Sequence, residues 1–286
     1  MTNKSFGEAL TLDQIIELAL AEDIGAGDYT SLSTIPAQAK GKARLLVKEA
    51  GVLSGIEVAA KVFEHVDPAI KFHPQLKDGD KIKPGDVAFT VEGPSASLLQ
   101  AERLALNFMQ LMSGIATYTA QYVDALKGLK TKVIDTRKTT PLLRALEKLA
   151  VIHGGGANHR KGLYDMILIK DNHVDFAGGI RQAIEGANSY LKDHALSLPI
   201  EIEVRNPNEL EQVLSVGSVT RIMLDNFSPA DLKLAVNRIG GQFETEASGG
   251  ITLGTIRSYA ETGVDFISVG ALTHQIKSID LSLKAF

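Results

Sequence analysis

The sequence predicts an α/β barrel-type domain preceded by a smaller α+β domain, and three observations carry that prediction. After residue 130, short apolar, β-rich runs recur at intervals of roughly 20 to 35 residues with helical stretches between them, a βα rhythm that means parallel strands covered by helices. Each run ends in polar residues capable of chemistry, as the carboxyl ends of barrel strands do. No GxGxxG follows any of these runs, so the fingerprint of a doubly wound dinucleotide-binding sheet is missing.

In chain order, TLDQIIELALA (11–21) has apolar residues at helical spacing, with Thr11 as its N-cap. ARLLVKE (43–49) and VAFTV (87–91) read as strands, and DGDKIKPGD (78–86) is turn chemistry between short extended pieces. Ser97 to about Lys127 reads as long helix, with a break expected near Ser113-Gly114. The later strands are KVI (132–134), MILI (166–169), IEIEV (200–204), RIML (221–224), FETEA (243–247) and FISV (266–269). The helices between them are GGIRQAIEGANSYLKDH, NPNELEQVLSV, SPADLKLAVNRI and TLGTIRSYAET.

Composition bounds the function. The chain has 286 residues, 44% hydrophobic and 22% charged, which is ordinary for a globular protein. It has no cysteine, so disulfides, thiolate catalysis and cysteine-ligated metals are excluded, and a reducing cytoplasm is the expected compartment. The opening MTNKSFGEAL lacks a basic segment followed by an apolar run, so no secretory signal is expected. No stretch approaches the roughly 18 continuous apolar residues of a membrane span. The net charge of −4 argues against a nucleic-acid partner.

Three constellations sit at the strand ends. DTRKTTPLLR (135–144) and GGGANHRKG (154–162) gather Arg137, Lys138, Arg144, His159, Arg160 and Lys161, and Lys170 ends the next strand. Surface solvation is the bland reading of such charges. Their place at strand ends favours a pocket for a small polyanion, with Arg pairing to carboxylate or phosphate and Lys adding a point charge. Glu201 and Glu203 stand two apart and share a strand face, and Asp225 ends the following strand. These carboxylates either neutralise the neighbouring cations or hold ribose hydroxyls, bind Mg²⁺ or stabilise an oxocarbenium-like sugar. SGGIT (248–252) and VGALTH (269–274) place Ser248, Gly249, Gly250, Gly270 and Ala271 in the last two βα turns. Barrels often bind phosphate there, with the following helix offering its free N–H groups. HExxH, GxxxxGK[ST] and GxSxG are all missing, which removes the corresponding zinc protease, nucleotide-hydrolase and serine-hydrolase readings. The residues alone reach a barrel enzyme for small polyanions; an isomerase or aldolase of sugar phosphates and a non-catalytic binding protein stay open.

DTRKTTPLLRALEKLAVIHGGGANHRKGLYDMILIKDNH (135–173) resembles the quinolinate phosphoribosyltransferase family. The resemblance extends through AEDIGAGDYTS, KEAGVLSGIEVA, AERLALNFMQLMSGIAT, IEIEVRN, IMLDN and ASGGI, nearly the whole chain. It implies an incomplete, seven-stranded α/β barrel with an N-terminal α+β sandwich-like domain. The domains are expected at 1–115 and 116–286, with the extreme C-terminus returning to the first. It implies condensation of quinolinate with phosphoribosyl pyrophosphate to nicotinate mononucleotide, pyrophosphate and CO₂, with Mg²⁺ as cofactor. Arg137, Lys138, His159, Arg160 and Lys170 would line the quinolinate and pyrophosphate pocket. Glu203 (or Glu201) and Asp225 would face the ribose and metal, Mg²⁺ being held mainly through the substrate. Ser248, Gly249, Gly250, Gly270 and Ala271 would hold the 5′-phosphate. It also implies a homodimer with shared active sites, Arg103 reaching the partner's site. The chain departs from the family at Leu142, where glycine is common after TTP, and at Leu149, where an aromatic is frequent. A family linked to molybdenum transport shares the fold and is the alternative.

Overall fold

The computed structural model describes residues 10–286, so the expectation of no secretory signal in MTNKSFGEAL falls, but for Leu10, outside the described residues. The chain runs through α1 (Leu12–Ile24), α2 (Tyr29–Thr34), β1 (Lys40–Val47), β2 (Gly51–Val52), α3 (Ile56–Val66), β3 (Lys71–Pro74), β4 (Lys81–Ile82), β5 (Val87–Pro94) and α4 (Ser95–Ala125). It continues through β6 (Lys132–Ile134), α5 (Arg144–His153), β7 (Ile167–Ile169), α6 (Asp171–Ala177), α7 (Ile180–Asp193), β8 (Ile200–Val204) and α8 (Pro207–Val216). The last elements are β9 (Arg221–Asp225), α9 (Pro229–Ile239), β10 (Glu244–Ser248), α10 (Ile256–Ala260), β11 (Phe266–Ser268), α11 (Ala271–His274) and β12 (Leu281–Ala285). Two compact units result, and both are discontinuous in sequence. One holds the chain up to Ala120 with Thr139–Gly155 and Leu272–Phe286; the other holds Gln121–Lys138 and Gly156–Ala271. Residues 139–155 and the C-terminal Leu272–Phe286 thus group with the first unit.

The first unit is built on an antiparallel sheet of order β12-β1-β5-β3. In β1, Ala43, Leu45 and Val47 alternate inward, the period that one buried face demands. Phe63 of α3 packs edge-on to Phe89 of β5 at 5.9 Å, and Phe72 of β3 lies 4.4 Å from Phe89. Each buried Phe contributes about 2–3 kcal/mol of transfer free energy. α1 begins as the sequence indicates: Thr11 caps the Gln14 amide while the Gln14 side chain returns to the Thr11 amide. The break expected near Ser113-Gly114 does not occur, and α4 is continuous. Gly114 serves close packing instead, because a Cβ there would collide with the Lys277 carbonyl. Beside it, Ser113 Oγ accepts from the Ser54 amide at 3.0 Å.

The second unit is an incomplete α/β barrel. Its six strands are all parallel, in the order β6-β11-β10-β9-β8-β7. The last strand of the series thus pairs with the first, as closure of a barrel requires, while β6 and β7 leave a gap between them. At that gap β6 carries a single parallel bridge to Ala157, whose N–H donates to Val133 O at 3.0 Å while its carbonyl accepts from Asp135 at 3.1 Å. Six strands and this bridge stand where seven strands were expected.

Alternation sorts the two faces of the sheet. Ile200, Ile202, Val204, Ile222, Leu224, Ala247, Ile267 and Val269 are buried on one face. The covering helices bury Ile180, Ile184, Leu210, Val213, Leu232, Ala235, Ile239 and Ile256. The other face carries Glu201, Glu203, Arg221, Met223, Asp225, Glu244 and Glu246, aligned by the registers Glu201↔Arg221↔Glu244 and Glu203↔Met223↔Glu246. Glu201 and Glu246 are 0% exposed although they sit on the face without helices, so the curvature of the sheet encloses them. Among the described residues, no helix is long and apolar enough to cross a membrane.

Candidate active site

The carboxyl ends of the strands bring together most of the residues singled out from the sequence. Asp135 follows β6 and is fully buried; its Oδ1 accepts from the His159 amide at 2.8 Å and its Oδ2 from Asn158 Nδ2 at 2.6 Å. One carboxylate therefore pins the loop 157–160 to the end of β6. Arg137 and Lys138 follow in the loop after β6 and are exposed. Arg160 is nearly buried, and its Nη1 donates to the Met166 carbonyl at 3.2 Å. Burial, and then the charge of Arg137, hold its guanidinium below the ordinary range. Two neighbouring cations of this kind favour an anion beside them.

Lys170 follows β7 as the N-cap of α6, and its Nζ lies 3.6 Å from Glu203 Oε2 on β8, the ammonium half exposed and the carboxylate nearly covered. Burial pushes the Glu203 carboxyl up, Lys170 pulls it down, and Asp225 and Asp171 push it up again. Asp225 closes β9, where Asn226 Nδ2 donates to its Oδ2 at 2.6 Å. Asp225 disfavours the charge on Glu203, and two such oxygen donors suit a hard divalent cation such as Mg²⁺.

Ser248 ends β10, and its carbonyl accepts from the Asn226 amide at 2.9 Å. Gly249 has φ +100 and Gly250 φ +62, both left-handed. A Cβ at Gly249 would fall on the Asn226 side chain and within 2.9 Å of its amide nitrogen, so glycine is required by both conformation and space. Gly270 and Ala271 follow β11, and α11 begins at Ala271. The helix-terminus expectation for SGGIT is corrected: the five-residue α10 starts only at Ile256, and Thr252–Thr255 form a turn in which the Thr252 amide donates to Thr255 Oγ1 at 3.0 Å. Any anion at Gly249–Gly250 meets turn amides rather than a helix end.

Two of the expected residues lie deeper than a mouth position. Glu201 and His159 sit beneath it, with His159 Nε2 2.9 Å from Glu201 Oε2. Sequence reasoning passed over their neighbours Asp135, Arg221 and Glu246. Glu246 Oε2 is 3.5 Å from His159 Nε2 and 3.2 Å from Arg221 Nη1. Burial, and then Glu201, push the Glu246 carboxyl up to about 8. The signal was present in FETEA, whose two glutamates stand two apart as in IEIEV. Arg103 lies in the first unit, exposed on α4, and among the described residues it makes no hydrogen bond or ion pair.

Residues 28–113 match the family model described as quinolinate phosphoribosyl transferase, N-terminal domain, and residues 115–284 match that of the C-terminal domain. The chain is 46% identical over 288 residues to the chloroplastic nicotinate-nucleotide pyrophosphorylase [carboxylating] of Arabidopsis thaliana, covering 96% of this chain and 82% of that one. It is 40% identical over 274 residues to the probable nicotinate-nucleotide pyrophosphorylase [carboxylating] of Bacillus subtilis, covering 96% and 93%. The solved structure of the nicotinate-nucleotide pyrophosphorylase from Francisella tularensis superposes with a TM-score of 0.91 at 40% identity, covering 96% of each chain. The mouth of the barrel and both halves of the sequence thus lead to one conclusion: the chain belongs to the quinolinate phosphoribosyl transferase family.

Proposed function

We propose that the chain condenses quinolinate with phosphoribosyl pyrophosphate to give nicotinate mononucleotide, pyrophosphate and CO₂, a step of NAD synthesis. The observation that carries this reading is the convergence at the strand ends of the cations Arg137, Lys138, Arg160 and Lys170 with the carboxylates Glu203 and Asp225. Both substrates are strongly anionic, which accounts for a basic pocket in a chain of net charge −4. The cations offset repulsion between the substrates and hold the pyridine nitrogen behind C1 of the ribose. Positioning and electrostatic stabilisation dominate catalysis.

The ring nitrogen donates its lone pair to C1 as the C1–O bond to pyrophosphate breaks. Glu203 or Asp225 stabilises the cationic character that C1 gains. The alkylated ring nitrogen is then positive. The bond to the adjacent carboxylate breaks with its electron pair left on the ring carbon, which takes a proton as CO₂ departs. Lys138 and Lys170 act as charges and form no covalent adduct. Ser248, Gly249, Gly250, Gly270 and Ala271 receive the 5′-phosphate. Mg²⁺ held by Glu203 and Asp225, and mainly by the substrate, would supply counter-charge to the leaving pyrophosphate.

A second copy of the chain completes the site in this reading, since Arg103 is exposed and without a described partner. The expected compartment is the cytoplasm, to be checked by fractionation. Incubation with quinolinate, phosphoribosyl pyrophosphate and Mg²⁺ should yield nicotinate mononucleotide, and omission of Mg²⁺ should abolish it. Turnover of a sugar phosphate without phosphoribosyl pyrophosphate, or ligand binding without CO₂ release, would replace this reading.

A further inference from the structure

One layer below the barrel mouth, ligand atoms of His159, Glu201 and Glu246 all lie within 4.8 Å of one another, and all three residues are buried. The two ring nitrogens of His159 face different partners. Nδ1 accepts from the Arg160 amide at 2.6 Å. A nitrogen that accepts carries no hydrogen, so the ring hydrogen sits on Nε2. Nε2 lies within ion-pair distance of both carboxyl groups, 2.9 Å from Glu201 and 3.5 Å from Glu246. Glu246 is anchored from below by Arg221 Nη1 at 3.2 Å, and Arg221 also pairs with Glu244 at 2.9 Å and stacks 4.0 Å over the Phe266 ring. The main chain of His159 is held by Asp135. The ring is therefore a strut, with carboxyl groups at one end and the backbone of Arg160 at the other.

We propose that Glu246 is a positioning residue for the substrate cations: with Glu201 it fixes the tautomer and orientation of His159, which in turn sets the backbone of Arg160 and the direction of its guanidinium. The proposal rests on the functional reading above for the word substrate, and on geometry alone for the strut. Outer partners of this kind decide which nitrogen of a histidine carries the hydrogen. The trio also has the spacing of a metal site, but the guanidinium of Arg221 already supplies positive charge against Glu246, and the charge of Arg160 acts on Glu201.

The test uses the full-length protein. Side-chain ¹⁵N NMR of the wild type, with His159 assigned by its loss in His159→Gln, should show a hydrogen on Nε2 and none on Nδ1 at neutral pH. In Glu246→Ala the single tautomer should be lost and KM for quinolinate should rise by about tenfold or more, with kcat changing less. Glu246→Gln keeps an accepting oxygen and should restore the tautomer and bring KM back to within about threefold of wild type. The proposal is overturned by a hydrogen on Nδ1 in the wild type, by an unchanged spectrum and KM in Glu246→Ala, or by Glu246→Gln behaving as the alanine variant does. It is equally overturned by one equivalent of a transition metal that Glu246→Gln loses. If Glu246→Ala fails to fold, the wild-type spectrum and Glu246→Gln still decide. If the protein turns over no quinolinate, the functional reading fails while the spectra still judge the strut.

Discussion

Lys170 Nζ stands 3.6 Å from Glu203 Oε2, so the end of one strand presents its charge to the end of the next. At that distance, with the ammonium half in solvent, the pair contributes little to stability. Lys170 remains available to an incoming anion. Lys170→Ala and Arg137→Ala should each lower kcat/KM by roughly 10²-fold or more while leaving the melting temperature within a few degrees of wild type. Steady-state kinetics beside thermal melts check both halves, and near-normal activity in either variant would count against the pocket.

Mixing subunits tests whether sites are shared. Arg103→Ala and Lys170→Ala homo-oligomers should both be inactive if Arg103 completes a partner's site. After denaturation and joint refolding, mixed dimers should regain part of the activity, because one of their two sites carries neither substitution. Confirmed subunit exchange without recovery would remove the shared-site reading.

The carboxyl of Glu246 is pushed up to about 8, by burial first and by Glu201 second. The sign of the consequence is definite. Between its ordinary value near 4.5 and about 8 the folded protein holds a proton that the unfolded chain releases. This contribution to stability is fully present below 4.5 and is lost as the pH rises through about 8. The melting temperature should therefore decline from pH 5 to pH 8, and Glu246→Gln, which cannot ionise, should flatten the decline. A variant as steep as wild type would show that Glu246 does not titrate in this range.

Gly249 tolerates no side chain at φ +100 against Asn226. Gly249→Ala should cost about 1–3 kcal/mol of stability and raise KM for phosphoribosyl pyrophosphate more than KM for quinolinate. Equal effects on the two constants would separate the turn from phosphate binding.

Leu142 carries φ +67 and is 69% exposed, so it bears backbone strain with little packing in return. This is the position at which the family resemblance led one to expect glycine. Leu142→Gly should be neutral or stabilising, since relief of about 1 kcal/mol of strain offsets the entropy that glycine adds to the unfolded chain. Leu142→Val, β-branched at positive φ, should be destabilising by about 1 kcal/mol. Chemical denaturation of the three proteins orders them.

The strands of the barrel were legible because alternation is local: IEIEV announces a buried apolar face and a charged one without reference to any partner strand. The mouth residues were legible for the same reason, since a strand's end is marked in its own sequence. What escaped required contacts distant in sequence. Asp135 looked like one polar residue among several until its grip on residues 158 and 159 was visible. Glu246 and Arg221 gain meaning only when the barrel curves and brings β8, β9 and β10 around His159. Ser113-Gly114 suggested a helix break because a helical glycine costs stability, and nothing local reveals the backbone at Lys277 that crowds it.

The pairing of β12 with β1, Leu45 opposite Leu283 and Val47 opposite Leu281, has a consequence for biogenesis. The sheet that begins at Lys40 gains its outermost strand from residues 281–285, made long after the strands it joins. During synthesis that edge of β1 has no neighbour until residues 281–285 have emerged. Deleting residues 281–285 should therefore harm the sheet built from residues 40–94, far upstream in the chain.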